Sequence, residues 1–251
     1  MDFYTLLNNI RLDSNSLFIL NKPINGYKFS FSEELSTQLN IGRKFRIVNL
    51  IYLRINQFSS VKRIFIQSIE DRYFCWVNIT DIDASFCKER IKSNSTFQIQ
   101  NREVIYASII EWIKIQARGD NSYLWGGSIS PCFDCSGFIQ TAFATHKIWL
   151  PRDAFQQEVF TYAQPIANID LKNLEIGDLL FFGNLETCDH VGFYSGDNSY
   201  WHCSGSEFGH NGIALEHLFN SQNPISSYYN NKLRSVGKVR DSFQWDRILI
   251  E

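Results

Sequence analysis

Cys135 stands in the run Phe133-Asp134-Cys135-Ser136-Gly137, shortly after Tyr123-Leu124-Trp125-Gly126-Gly127. Phe138, Ile139, Ala142 and Phe143 repeat at i, i+1, i+4, i+5, so a helix should begin at Cys135. A thiol there faces unpaired backbone N–H groups and the positive end of the helix dipole. Both favour thiolate and lower its pKa from a free value of about 8.5. The same N–H groups can hold a developing oxyanion. Nucleophilic catalysis also needs a base, and Asp189-His190-Val191-Gly192 and Tyr200-Trp201-His202 supply two imidazoles. If their segments are neighbouring strands, His202 can hydrogen-bond the far nitrogen of His190 and fix its tautomer. His146, His210 and His217 read as surface or loop residues and are assigned no role.

The cysteines also allow a different reading. Cys132-x-x-Cys135, Cys188-x-His190 and His202-Cys203 offer soft ligands in clusters, as a zinc-stabilised binding module would. All of them would have to converge on one ion. Asp-Cys-Ser-Gly opening a helix after Gly-Gly accounts for more residues than a metal does. A redox Cys-x-x-Cys places its first cysteine at the helix start, not its second. We therefore expect no metal and no organic cofactor.

The elements that must position these groups fall into two segments. Residues 1–95 carry short β-like runs, among them 46–53, 64–69 and 73–77, with turns at Asn25-Gly26 and Glu70-Asp71-Arg72. This spacing suggests a small β-barrel. The polar stretch 92–96 is the candidate linker. A helix is expected over 102–118, with Val104, Ile105, Ile109, Trp112 and Ile113 at helical spacing, Asn101 as cap and Gly119 as stop. Beyond Gln164-Pro165 the pattern turns to strands at 179–182, 190–194 and 199–202. Helices first and strands after make residues 96–251 an α+β domain.

Composition narrows the function classes. The chain has 251 residues, and 24 basic against 26 acidic side chains leave a net charge of −2, which argues against binding nucleic acid by phosphate neutralisation. Hydrophobic residues at 44% and aromatics at 15% exclude disorder and suit a packed core. The amino terminus shows no basic stretch followed by a long apolar one, so we expect a cytoplasmic protein with free thiols and no membrane segment.

Taken in order, Tyr-x-Trp-Gly-Gly, Asp-Cys-Ser-Gly-Phe, Leu150-Pro151-Arg152-Asp153-Ala154, Gly177-Asp178-Leu179-Leu180-Phe181-Phe182, His190-Val191-Gly192 and His202 resemble the NlpC/p-sixty family of bacterial cell-wall cysteine peptidases. The resemblance covers roughly residues 100–240. It implies a papain-like core with Cys135 as nucleophile, His190 as general base and acid, and His202 as the orienting third residue. By the same resemblance Tyr123 helps to stabilise the oxyanion, while Asp134 and Ser136 line the substrate cleft. An SH3-like barrel in front of such a domain is similar to the arrangement in enzymes that recycle murein peptides. Those cut the γ-D-glutamyl bond to a diamino acid and require a free N-terminal L-Ala. The resemblance then makes Asp153 a candidate for the substrate ammonium. Arg152 would pair with a substrate carboxylate or brace the cleft, and Tyr73 and Glu70 would contribute from the barrel. The expected partner is a murein peptide, L-Ala-γ-D-Glu-diamino acid, and the expected state a monomer. Two positions depart from the pattern: Ala154 stands where many relatives carry a hydroxyl, and Cys132 adds a second thiol. The wider superfamily also contains acyltransferases and amidases, which is the alternative activity.

Overall fold

The computed structural model describes residues 16–48, 62–87, 99–207 and 209–243. Contacts divide the chain into two compact units, the first within residues 1–94 and the second spanning 95–243. The candidate linker at 92–96 and the end of the expected strand at 46–53 lie outside the described residues.

The first unit is an antiparallel sheet of β1 (Leu17–Leu20), β2 (Ile24–Tyr27), β3 (Leu35–Leu39), β4 (Lys44–Ile47), β5 (Arg63–Ser68), β6 (Phe74–Asn78) and β7 (Ala84–Cys87). Its strand order is β3-β2-β6-β5-β4-β1-β7. Phe18, Phe45, Ile64, Ile66 and Val77 form its dry centre. Buried Arg43 is held there by Glu70 at 2.9 Å and Asp71 at 2.8 Å. Glu70 also accepts from the Lys44 N–H at 2.8 Å. Both Glu70 oxygens thus have partners within the unit, Oε2 on Arg43 and Oε1 on the Lys44 N–H. Tyr73 packs its ring against the same core.

The second unit begins with α1 (Arg102–Arg118). Its buried face is Tyr106, Ile109 and Ile113, whereas Val104, expected on that face, is exposed. Asn101 does not cap with its side chain, because it sits in the left-handed region with φ 55°. Three short strands follow, β8 (Ser122–Tyr123), β9 (Ser128–Ile129) and β10 (Cys132–Phe133), in the order β8-β10-β9. Next comes α2 (Cys135–Ala144), apolar on nearly every side because it runs through the centre of the core. After α3 (Ala154–Phe160) the chain forms β11 (Gln164–Pro165), β12 (Asp178–Gly183), β13 (Cys188–Gly196), β14 (Ser199–Ser204) and β15 (Gly212–His217). The last helix, α4 (Pro224–Asn230), starts on Asn223, whose Oδ1 accepts from the N–H of Ile225 at 2.8 Å, and β16 (Leu233–Lys238) closes the unit.

The six strands β11 to β16 make an antiparallel sheet in the order β11-β16-β12-β13-β14-β15. β13 and β14 are joined by Asp197 and Asn198, both with positive φ (50° and 54°), the backbone that a two-residue hairpin turn matched to the sheet twist requires. Their register pairs Phe193 with Trp201 and Tyr194 with Tyr200.

Glycine is required where α2 meets the loop before it. A Cβ on Gly137 would stand 2.2 Å from the Gly127 carbonyl oxygen, and Gly126 turns the chain with φ 78°. Gly137→Ala is therefore expected to lose about 1–3 kcal/mol of stability through forced displacement of backbone, read as a lower urea midpoint. An unchanged midpoint would show that the two segments separate freely.

Candidate active site

Cys135 is the first residue of α2 and is buried. Its position is fixed by Asp134, the helix cap, whose Oδ1 accepts from the Gly137 N–H at 2.7 Å. Asp134 Oδ2 accepts from the Gly126 N–H at 2.9 Å. Arg152 grips the same carboxylate with both terminal nitrogens, at 3.0 Å to Oδ1 and 2.7 Å to Oδ2. Its Nη1 also donates to Ser136 Oγ at 3.1 Å. Arg152 is 1% exposed. Asp134 and Ser136 were expected to line the cleft, and Arg152 to pair with a substrate carboxylate or to brace the cleft. The three side chains form a buried network, because a desolvated guanidinium needs its carboxylate partner inside the protein. Of the two roles open to Arg152, bracing is the one the structure supports.

The Cys135 thiol points at β13. Its Sγ is 3.8 Å from the Asp189 carbonyl oxygen and meets the Val191 N–H, so it rests against the backbone on both sides of His190. On the neighbouring strand, His202 Nδ1 lies 2.8 Å from His190 Nε2. The His190 ring stacks on Tyr229 with centroids 4.6 Å apart, and the His202 ring meets Tyr229 edge-on at 4.8 Å. Tyr123 on β8 is close enough for a Cys135 thiolate to raise its hydroxyl pKa, after burial as the larger cause.

Residues 120–235 match the sequence profile of the NlpC/P60 family. This chain contains an NlpC/P60 domain. The γ-D-glutamyl-L-lysine dipeptidyl-peptidase of Bacillus cereus is 35% identical over 88 residues, 34% of this chain and 25% of that protein. The enzyme of the same name from Bacillus subtilis is 39% identical over 83 residues, 32% of this chain and 26% of that one. The murein DD-endopeptidase MepS/murein LD-carboxypeptidase of Escherichia coli K12 is 29% identical over 126 residues, 47% of this chain and 64% of its own length. The match thus spans about a quarter of the two dipeptidyl-peptidases. A solved NlpC/P60 family protein from Bacillus cereus is similar with a TM-score of 0.43 at 17% identity, covering 90% of this chain and 63% of that one.

Charge within the NlpC/P60 domain is governed by burial. Burial, with the Asp134 carboxylate adding to it, pushes the Cys135 thiol up to about 12, against the pull of Arg152 and the N–H groups of Ser136 and Val191. Burial and then Lys232 push His190 down to about 3. The helix terminus does favour thiolate, as expected, but desolvation outweighs it, so the expected low thiol pKa is corrected. Each charge alone is costly here. Moving a proton from Cys135 to His190 creates both charges at once, and their attraction offsets part of that cost.

Two features were not anticipated. Tyr229 comes from a short helix that the sequence reading did not identify. Glu216 and His210 form a contact of 2.6 Å beyond His202, although His210 was assigned nothing. The soft-ligand reading fails on geometry: Cys132 pairs with Ser122 Oγ, Cys188 with the His190 carbonyl and Cys203 with the Phe133 carbonyl, and they do not converge. All six cysteines are free. Asp153 opens α3 in a capping box with Gln156, its N–H donating to Gln156 Oε1 at 3.2 Å.

Arg152→Met would leave Asp134 buried and half-unpaired. We expect a loss of about 3–5 kcal/mol, measured by chemical denaturation. Asp134→Asn with Arg152→Met should recover part of it, and a double variant as unstable as the single would show that the ion pair is not the brace.

Proposed function

We propose that the chain is a cysteine peptidase that hydrolyses the γ-D-glutamyl bond to a diamino acid in murein peptides. The observation that carries this reading is a thiol at a helix start, set against the strand that bears His190, with His190 bonded in turn to His202. His190 Nε2 engages His202, which leaves Nδ1 as the nitrogen available to the thiol. The proton passes from Cys135 to His190 as the sulfur attacks the carbonyl carbon, so neither charge has to persist in the resting site. Among the first N–H groups of α2, Gly137 donates to the Asp134 side chain and Phe138 to its carbonyl, while Ser136 faces the thiol. The Cys135 N–H is then the donor for the oxyanion, with the Tyr123 hydroxyl as its companion. His190 returns the proton to the leaving amine, and water hydrolyses the thioester.

The named relatives support peptidoglycan peptides as the substrate class, and two of them are named for a γ-D-glutamyl-L-lysine bond. We assign the free N-terminal L-Ala requirement to Asp153, and we read the first unit as an SH3-like module. We assign the reaction itself to recycling of free peptides in the cytoplasm.

The direct test is incubation with L-Ala-γ-D-Glu-L-Lys and its meso-diaminopimelate counterpart, each free and N-acetylated, with products read by mass spectrometry. Release of L-Ala-D-Glu from the free peptides alone is the expected result. Cleavage of acetylated peptides would remove the ammonium requirement, and no cleavage would point to another amide or acyl acceptor. Cys135→Ser should lower kcat/KM by more than about a thousandfold with folding retained, and His202→Ala by less. Because burial holds His190 unprotonated far below the ordinary imidazole value of 6.5, kcat/KM should hold as the pH falls through 6.5. An acid limb at 6.5 or above would contradict that assignment.

A further inference from the structure

Behind His202 lies a second cluster that the peptidase chemistry leaves unused. His202 is fully buried. Its Nδ1 is spent on His190, and its Nε2 has no hydrogen-bond partner. An imidazole nitrogen without a partner in a dry interior costs on the order of 1–3 kcal/mol, so it marks a position where something is meant to bind. His210 and Glu216 face it: one ligand atom from each of the three residues lies within 4.8 Å of the others, and theirs is the one such group among the described residues. His210 Nε2 and Glu216 Oε1 are 2.6 Å apart. Glu216 is otherwise held only by the Ser226 hydroxyl on its second oxygen. Tyr200, directly opposite Glu216 across the β14–β15 pair, also carries a buried hydroxyl without a partner.

The backbone explains the convergence. Ala214 pairs with His202, and Glu216 lies two residues further along β15, on the same face of the sheet. His210 comes from the connection between the two strands, where its N–H donates to Ser204 Oγ at 3.2 Å. Its side chain is 39% exposed, which opens the cluster to solvent on one side only.

We propose that His202 Nε2, His210 and Glu216 bind a divalent transition-metal ion of the zinc class, and that the ion switches the peptidase off. Two imidazoles and a carboxylate, with one position left for water, are a common zinc donor set. Zinc bonds of about 2.0–2.1 Å in a tetrahedral site place ligand atoms about 3.3 Å apart. To take an ion, the 2.6 Å His210–Glu216 contact has to open and the remaining spacings, all within 4.8 Å, have to close onto it.

The inhibitory consequence rests on the proposed peptidase reading and follows from proton positions. When Nε2 of neutral His202 gives its lone pair to the metal, its proton must sit on Nδ1. That N–H then donates to His190 Nε2, so the proton of neutral His190 moves to Nδ1, the nitrogen available to Cys135. A nitrogen that already carries a proton cannot accept one from the thiol. Without the ion, His190 Nε2–H donates to His202 Nδ1, and His190 Nδ1 is free to act as base. No net proton is gained or lost in the switch; the tautomers of both histidines exchange.

The test separates binding from activity. Zinc chloride is titrated calorimetrically into full-length Cys135→Ser, in which the catalytic thiol cannot serve as a ligand, and into the same protein with His210→Ala or Glu216→Gln added. One ion per chain, weakened at least tenfold by either added change, is expected. Binding that is absent, or indifferent to both changes, overturns the site. In the chain with its native thiol, micromolar zinc should lower peptide cleavage more than tenfold, reversibly with chelator, while His210→Ala cleaves normally and resists zinc. Equal inhibition of both overturns the switch. If no peptide is cleaved even without zinc, the peptidase reading has failed, and the calorimetry still decides the metal site.

Discussion

The carboxylate of Asp134 ties together the Gly126-Gly127 turn, the first turn of α2 and the segment leading into α3. It accepts from the N–H groups of Gly126 and Gly137 and from both terminal nitrogens of Arg152. None of these segments could be placed independently, because the carboxylate must be fully satisfied to remain charged in a site where Arg152 itself sees almost no solvent. The orientation of α2, and with it the position of Cys135, depends on that one group. The tight approach of Gly137 to the Gly127 carbonyl is the steric counterpart of the same constraint.

The charge Asp134 brings is also a cost to the thiol next to it. Its field disfavours a thiolate at Cys135, Arg152 opposes that, and burial exceeds both. The domain resolves the conflict by keeping the resting thiol and imidazole neutral and placing aromatic rings, Tyr229 above all, around the two histidines. Rings of that kind exclude water while leaving the imidazoles their mutual hydrogen bond. With the thiol pushed up and the imidazole pushed down, the site favours two neutral groups over a standing ion pair.

Much of this arrangement is legible in the residues themselves. The period of Phe138, Ile139, Ala142 and Phe143 places the start of α2, and the cap residue before Cys135 agrees with it. The short runs that carry His190 and His202, bounded by Gly, Asp and Asn, place both on strands. What cannot be read is which polar residues end up dry. Arg152 and Asp134 look like cleft residues in the sequence, since nothing local says that a charge is buried with its partner 18 positions away. Glu70 is the same case, its partner Arg43 lying 27 positions away, just before β4. Asn101 has the right chemistry for a cap, but its left-handed backbone turns the side chain from the role. Tyr229 and Glu216 reach the histidines only through sheet pairing and a seven-residue helix, a relation between segments that no local pattern encodes.

The hairpin turn at Asp197-Asn198 carries a consequence for how this chain can vary. Side chains on a strand alternate between faces, so the meeting of His190 and His202 depends on the number of residues that separate them as well as on their identity. An insertion or deletion of one residue in that turn, absorbed as a slip of β14 against β13, would carry His202 to the opposite face of the sheet while leaving every residue of the site in the sequence. The length of an exposed two-residue turn is therefore under the same constraint as the histidines themselves.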